Sequence, residues 1–241
     1  MSASDPNVRM VEAVADALGG LCAELVFVGG CATGLLYTSA TAPAPRITYD
    51  VDLIAEVTAL AGYYALERRI AAQGFRRDTS TDAPICRWRL EDLIVDLMPT
   101  DEKIFGFSNH WYPHAISSAE PLKLPGGQTI RLISAPTFVA TKLEAFATRG
   151  RGDLMVSHDL EDILNVIDGR EEIVDEVARA DAKLRDFLVS RFAGIVGDKN
   201  FGNTLPGLLA YDEIHAERVA RVRQRMMEIA GLGAGESDGS S

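Results

Sequence analysis

The sequence predicts an α+β fold, an α/β mixed-sheet core in the N-terminal part followed by an all-helical C-terminal domain. Three observations predict it. Short apolar runs of strand length alternate with helical spacing as far as about residue 135. Two of those runs, "PICRWRL" and "LIVDLMP", are separated only by Glu91-Asp92, as in a tight hairpin, so the sheet includes an antiparallel pair. From Pro136 onward only helical spacing remains. The expected division is a core over 1–135, a helical domain over 136–231 and a disordered tail over 232–241, where Gly and Ser displace apolar residues.

Taken in order, residues 6–19 place Val8, Val11, Val14, Ala15 and Leu18 close to helical spacing, with Asp5-Pro6 as cap and first position. "ELVFVGG" is a buried strand ending at glycine, and "CATGLLYTS" a short helix beyond it. The prolines of "ATAPAPRITY" forbid a regular helix there. "DVDLIAEV" is a second strand, and "ALAGYYALERRIAAQG" an amphipathic helix closed by Gly74. After the hairpin, "HWYPHAISSAEPLKLPGGQTIRLIS" reads as further short strands around turns. Helices are expected near 136–148, 158–168, 170–195 and 211–231.

At 241 residues and 47% hydrophobic content the chain can bury a substantial core. The formal charge of −11 argues against broad, non-specific binding of nucleic acid, which depends on phosphate neutralisation. A local basic patch is still open: Arg68, Arg69, Arg76, Arg77, Arg87 and Arg89 lie close together, either as a solvated helix face and hairpin or as an anion-binding surface. No apolar run reaches the roughly 18–20 residues that span a bilayer, and the N-terminus has neither a basic n-region nor an apolar h-region, so no membrane contact and a cytoplasmic location are expected. Cys22, Cys31 and Cys86 sit among apolar residues without metal-ligand spacing and read as buried thiols.

The chemistry concentrates in the strands. Side chains at i and i+2 of a strand share a face, so Asp50 and Asp52 project together while Val51 points away. Asp96 interrupts the apolar run "LIVDLM", where an unpaired carboxylate would be costly. Three carboxylates on neighbouring strands resolve that cost by binding a hard cation, and Mg²⁺, completed by water and substrate phosphates, is the expected choice. Two such ions are a device for in-line phosphoryl or nucleotidyl transfer, which makes a nucleoside triphosphate (NTP) the expected substrate. Gly29 and Gly30, between strand and helix, then let backbone amides approach phosphate. A dinucleotide site is the rival, because an acidic residue follows a glycine turn by about 20 positions. The spacing at residues 29, 30 and 34 is Gly-Gly-x-x-x-Gly rather than Gly-x-Gly-x-x-Gly, and that reading leaves Asp96 unexplained.

"VGGCATGLL", "RITYDVDL" and "IVDLM" together resemble the nucleotidyltransferase core of the DNA polymerase β superfamily. Arg46-x-Thr48-x-Asp50-x-Asp52 is similar to the motif of its AbiEii and MenT-like toxin branch. The resemblance covers about residues 24–165. It implies a Mg²⁺-dependent transfer of a nucleoside monophosphate from an NTP to a hydroxyl, with release of pyrophosphate. Asp50, Asp52 and Asp96 would be the metal ligands, with Asp96 also a candidate general base; Gly29, Gly30 and Thr33 would cradle phosphate, and Arg46 and Thr48 would join the nucleotide site. Lys142 would meet the triphosphate and Asp159, followed by Asp162, would orient it. Read without the resemblance, Lys142 is equally a surface helix charge, and Asp159 a first-turn acid behind a Ser157 or His158 cap.

For the acceptor, the toxin branch implies a tRNA 3′ end and a cognate antitoxin as partner. A small molecule such as an antibiotic, or a protein hydroxyl, is the alternative, and a non-catalytic nucleotide-binding module is the reading from another class. Other residues stay open: Trp111 and Tyr112, flanked by His110 and His114, offer stacking to a nucleobase or simply pack a loop on the core. His158 and His215 read as ordinary polar positions. Arg218, Arg221, Arg223 and Arg225 form a basic run that fits a surface helix with ion pairs or an RNA contact.

Overall fold

In the computed structural model, which describes residues 5–149 and 157–235, the chain divides into two compact units. The first comprises residues up to Leu35 together with Arg46–Ser134, and the second comprises Leu36–Pro45 together with the residues from Ala135 onward.

The first unit opens with helix α1 (Pro6–Leu18), whose start is set by Asp5 accepting a hydrogen bond from the Asn7 amide, with Pro6 in the first turn. Its buried face is Val8, Val11, Val14, Ala15 and Leu18, the stripe expected from their spacing. Strand β1 (Leu25–Val28) is buried at every position, as befits a strand inside a sheet covered on both faces. Next come β2 (Asp50–Ala55), helix α2 (Leu60–Ala72), the two-residue β3 (Arg76–Arg77), β4 (Arg87–Leu90) and β5 (Leu93–Pro99). Gly74, at φ 92°, takes the left-handed turn that ends α2, and Glu91, at φ 52°, takes the left-handed conformation in the β4–β5 hairpin. Helix α3 (Tyr112–Ser118), β6 (Glu120–Lys123) and β7 (Thr129–Leu132) complete the unit.

The described residues form a seven-stranded mixed sheet in the order β3-β4-β5-β2-β1-β7-β6. β2 pairs parallel with β5 and β1 parallel with β7, whereas β1–β2, β3–β4, β4–β5 and β6–β7 are antiparallel. One expectation is corrected here. The stretch after residue 110 does not begin with strands but with α3, because Pro113 falls in the first turn of a helix, where its missing N–H costs nothing.

The second unit is helical: α4 (Ala135–Arg149), α5 (His158–Gly169), α6 (Ile173–Arg179), α7 (Ala182–Gly197), the single-turn α8 (Phe201–Thr204) and α9 (His215–Gly231). The single helix expected over 170–195 is two, because Asp181 leaves helical geometry and caps α7 through the Leu184 amide at 3.2 Å. The disordered tail expected from 232 is corrected over its first residues, since Leu232–Gly235 form a 3-10 turn; residues 236–241 lie outside the described residues.

Three of the four arginines in the α9 run are held within the helical unit, and Arg223 is exposed. Asp168, fully buried on α5, receives Arg218 Nη1, and Arg221 through Nε at 2.8 Å and Nη2 at 2.6 Å. Arg225 Nη1 donates to the carbonyls of Ile167 and Asp168 at 2.7 and 2.9 Å, at the C-terminal end of α5 where cations are favoured. These are buried and half-buried contacts rather than the surface ion pairs or RNA contacts considered for that helix. Cys22, Cys31 and Cys86 are buried free thiols, as expected. Among the described residues no helix is long and apolar enough to cross a membrane.

Candidate active site

The site is built where β1 ends and β2 begins. Val28 is in register with Asp52 across the antiparallel β1–β2 pair, and Asp52 with Asp96 across the parallel β2–β5 pair. Asp96 is in turn in register with Arg87 on β4. Three consecutive pairings therefore carry the glycine turn, the Asp-x-Asp strand, the third aspartate and one arginine to the same level of the sheet.

Gly29 sits at φ 72°, and a Cβ on it would lie 1.7 Å from Asp52 Oδ2. The glycine is thus needed for the carboxylate: Asp52 fills the space that any side chain at 29 would occupy. Gly30 starts the helix that follows, which is a 3-10 helix over Gly30–Leu36. Thr33 on that helix is fully buried.

Arg87 was grouped with the basic patch rather than with the site. Its Nε donates to Asp96 Oδ1 at 2.9 Å and its Nη2 to Asp96 Oδ2 at 2.7 Å, a bidentate pair, and Nη2 also lies 3.7 Å from Asp50 Oδ2. These hydrogen bonds to Asp96 raise the guanidinium above its ordinary value. Burial, with the nearby Asp96 carboxylate, pushes the Cys86 thiol up to about 11. The carboxylates of Asp50 and Asp96 thus already share one positive charge. Among the described residues no three His, Cys, Asp or Glu side chains stand together as a ready metal cluster. Asp96, expected as a bare ligand, has both oxygens engaged by Arg87.

The chain entering β2 is held by Asn7, which the sequence reading passed over. Buried on α1, its Nδ2 donates to the Arg46 carbonyl at 2.8 Å, and its Oδ1 accepts from the Thr48 amide at 3.1 Å. Thr48 is itself buried, and its hydroxyl donates to the Asp50 carbonyl at 3.3 Å. Thr48 thus locks the backbone, while Ile47 and Tyr49 alternate outward.

In the helical unit, Lys142 Nζ on α4 pairs with Asp162 Oδ2 at 2.7 Å and Asp159 Oδ1 at 3.1 Å on α5. Lys142 is mostly buried and Asp162 completely so, which sets aside the surface-charge reading of the lysine. Ser157 rather than His158 caps α5, accepting from the Leu160 amide at 3.3 Å.

Residues 13–229 match the sequence profile of the family described as nucleotidyl transferase AbiEii toxin, Type IV TA system. The chain belongs to the AbiEii nucleotidyltransferase toxin family. It is accordingly a nucleotidyltransferase. Among solved structures, the crystal structure of a candidate nucleotidyltransferase from H. pylori is similar at 12% identity, over 98% of this chain and 99% of that one, with a TM-score of 0.46. No curated protein matches the chain.

Other residues of this AbiEii-family chain that its sequence singled out now have definite surroundings. Of the six arginines in the basic patch, four meet acids: Arg69 with Glu24, Arg77 with Glu67, Arg87 with Asp96 and Arg89 with Asp78. Arg68 and Arg76 are exposed. Trp111 is buried, edge-on to His110 and His114, so it packs the core rather than offering its face to a base. Tyr112 donates to Met98 Sδ at 3.3 Å.

Proposed function

We propose that this AbiEii-family enzyme uses Mg²⁺ to transfer a nucleoside monophosphate from an NTP to the 3′-terminal hydroxyl of tRNA, releasing pyrophosphate. The observation that supports the reading is the apposition of Gly29 and Asp52 beside Asp50 and Asp96, which leaves a hard, oxygen-only donor set at the end of a glycine turn. Asp50 and Asp52 would hold the metal; Mg²⁺ commonly uses one or two carboxylates and takes its remaining ligands from water and substrate phosphates, so a preformed protein cage is unnecessary. When bound, the metal supplies charge neutralisation on the triphosphate and on the departing pyrophosphate.

The chain's own residues do the rest. Gly29 keeps the approach to Asp52 free of a side chain, and the backbone amide of Gly30 would donate to a nearby phosphate. Arg87 holds Asp96 in place through its two hydrogen bonds, so that Asp96 can take the proton of the attacking hydroxyl once the guanidinium shifts toward phosphate charge. The tRNA acceptor rests on the likeness of Arg46-x-Thr48-x-Asp50-x-Asp52 to the MenT-like motif, and a cognate antitoxin on the family's toxin–antitoxin setting. The role proposed for Lys142 is to neutralise triphosphate charge, with Asp159 orienting its ammonium.

Incubation with each α-labelled NTP, Mg²⁺ and total cellular tRNA tests the proposal. Label is expected in tRNA, lost on chelation and in Asp52→Ala. Label confined to protein or to small metabolites would overturn the acceptor, and nucleotide transfer undiminished by chelation would overturn the metal.

A further inference from the structure

We propose that Asn7, on the first helix and outside the residues that match the family, is a positioning residue for the Asp50–Asp52 end of the site. The proposal rests on the nucleotidyl-transfer reading of that site.

The segment Leu36–Pro45 groups with the helical unit, so Arg46 is where the chain re-enters the core, four residues before Asp50. A chain end returning to a core carries backbone groups that need partners before it joins a sheet. No strand supplies them at Arg46–Tyr49, since the pairing of β2 begins at Asp50. The Asn7 amide takes that place. Its donor meets the carbonyl of Arg46 and its acceptor meets the N–H of Thr48, bridging one intervening residue as a strand neighbour would. Thr48 Oγ1 then reaches the Asp50 carbonyl, so the chain of contacts runs Asn7–Thr48–Asp50.

The side chain suits this task in a way that few others could. A carboxamide carries a neutral donor and acceptor side by side on one carbon, and Asn7 is 1% exposed, so an unmatched partner facing it would be poorly placed to find water. Its backbone is fixed as well, because the Asn7 N–H donates to the Asp5 cap at 2.9 Å. The amide is therefore aimed from a rigid helix start, and its effect is on the direction in which Asp50 leaves the loop.

Two variants and one control test this. Asn7→Ala removes both bonds, and Asn7→Asp keeps the shape and the acceptor but loses the donor to Arg46. Val11→Ala, on the same buried face of α1, weakens the helix without touching the loop. In metal-free protein, amide hydrogen exchange in a peptide covering 46–50 is expected to quicken at least about tenfold in Asn7→Ala, at least about threefold in Asn7→Asp, which keeps the acceptor for the Thr48 N–H, and to stay unchanged in Val11→Ala. At saturating NTP, kcat is expected to fall at least about tenfold in Asn7→Ala, with the Mg²⁺ concentration for half-maximal rate raised, because misplacing a ligand by about 1 Å can cost 10²-fold. Val11→Ala should lose thermal stability yet keep kcat within about twofold. If the Asn7 variants keep exchange and kcat within about twofold of wild type, or if Val11→Ala loses kcat in step with its stability, the positioning role is overturned. Should Asn7→Ala not fold, Asn7→Asp against Val11→Ala decides. A wild-type enzyme that transfers no nucleotide would instead overturn the reading of the site, while the exchange comparison would still report on the clamp.

Discussion

The carboxylate of Asp52 occupies the volume where a side chain on Gly29 would begin, with Oδ2 only 1.7 Å from the position of a Cβ. Glycine turn and Asp-x-Asp strand are therefore two halves of one steric arrangement. Gly29→Ala must displace Asp52 and also place a Cβ at φ 72°, which by itself costs roughly 1–2 kcal/mol. Nucleotidyl transfer is expected to fall by about 10²-fold or more while the protein still folds. Activity near that of wild type would show that Asp52 has no fixed post.

Arg87 is the counter-ion of the third aspartate. Arg87→Ala leaves the mostly buried Asp96 carboxylate without its two charge-assisted bonds, a loss of about 1.5–3 kcal/mol. If a divalent cation can take the place of the guanidinium, Mg²⁺ should raise the melting temperature of Arg87→Ala more than that of wild type. Equal shifts in the two proteins, measured by thermal scans with and without Mg²⁺, would mean that the carboxylates do not accept a metal there.

The Cys86 thiol gives the fold a basic limit. Its pKa rises from 9.0 to about 11 on folding, so between those values the native state holds a proton that the unfolded chain has lost. Stability from this group is complete below pH 9 and declines as pH rises through 11, by no more than about 3 kcal/mol. Urea unfolding at pH 8 and pH 10.5 should show the decline, and Cys86→Ala should lessen it. An unchanged slope in that variant would assign the decline elsewhere.

Asp168 anchors the helical unit. Asp168→Ala takes the buried acceptor from Arg218, 1% exposed, and from Arg221, leaving Arg218 with the half-exposed Asp212, and removal of one member of such a buried pair costs about 3–5 kcal/mol. Replacing both by apolar residues, Asp168→Leu with Arg218→Met, should recover only part of the loss, because Arg221 and Asp212 also lose their partner. Denaturant midpoints check both, and a single-variant loss under about 1 kcal/mol would contradict the assignment.

Lys142 carries two ion pairs before any substrate arrives. Lys142→Ala is expected to raise KM for NTP at least about tenfold, as loss of a point charge on phosphate would. A change in stability with KM unaltered would make it a purely structural lysine.

What could be read from residue order reflects period and local chemistry. Alternation put Asp50 and Asp52 on one face, apolar spacing outlined α1, and Glu91-Asp92 marked the hairpin, since each depends on neighbours within a few positions. Pro113 misled because proline signals a turn and a helix start alike. Arg87 looked like surface charge until β4–β5 pairing set it opposite Asp96, and Arg218 and Arg221 of α9 looked exposed until α5 offered them Asp168.

By itself, then, the sequence determined most of the element types, the carboxylate pair and the family motif, all set by short-range pattern. Tertiary structure alone decided that Gly29 yields its side-chain space to Asp52, that Arg87 holds Asp96, that Thr33 and Thr48 turn inward, and that Asn7 receives the returning chain. Those contacts join residues far apart in the chain, and their worth depends on burial and on partners that a linear pattern does not encode.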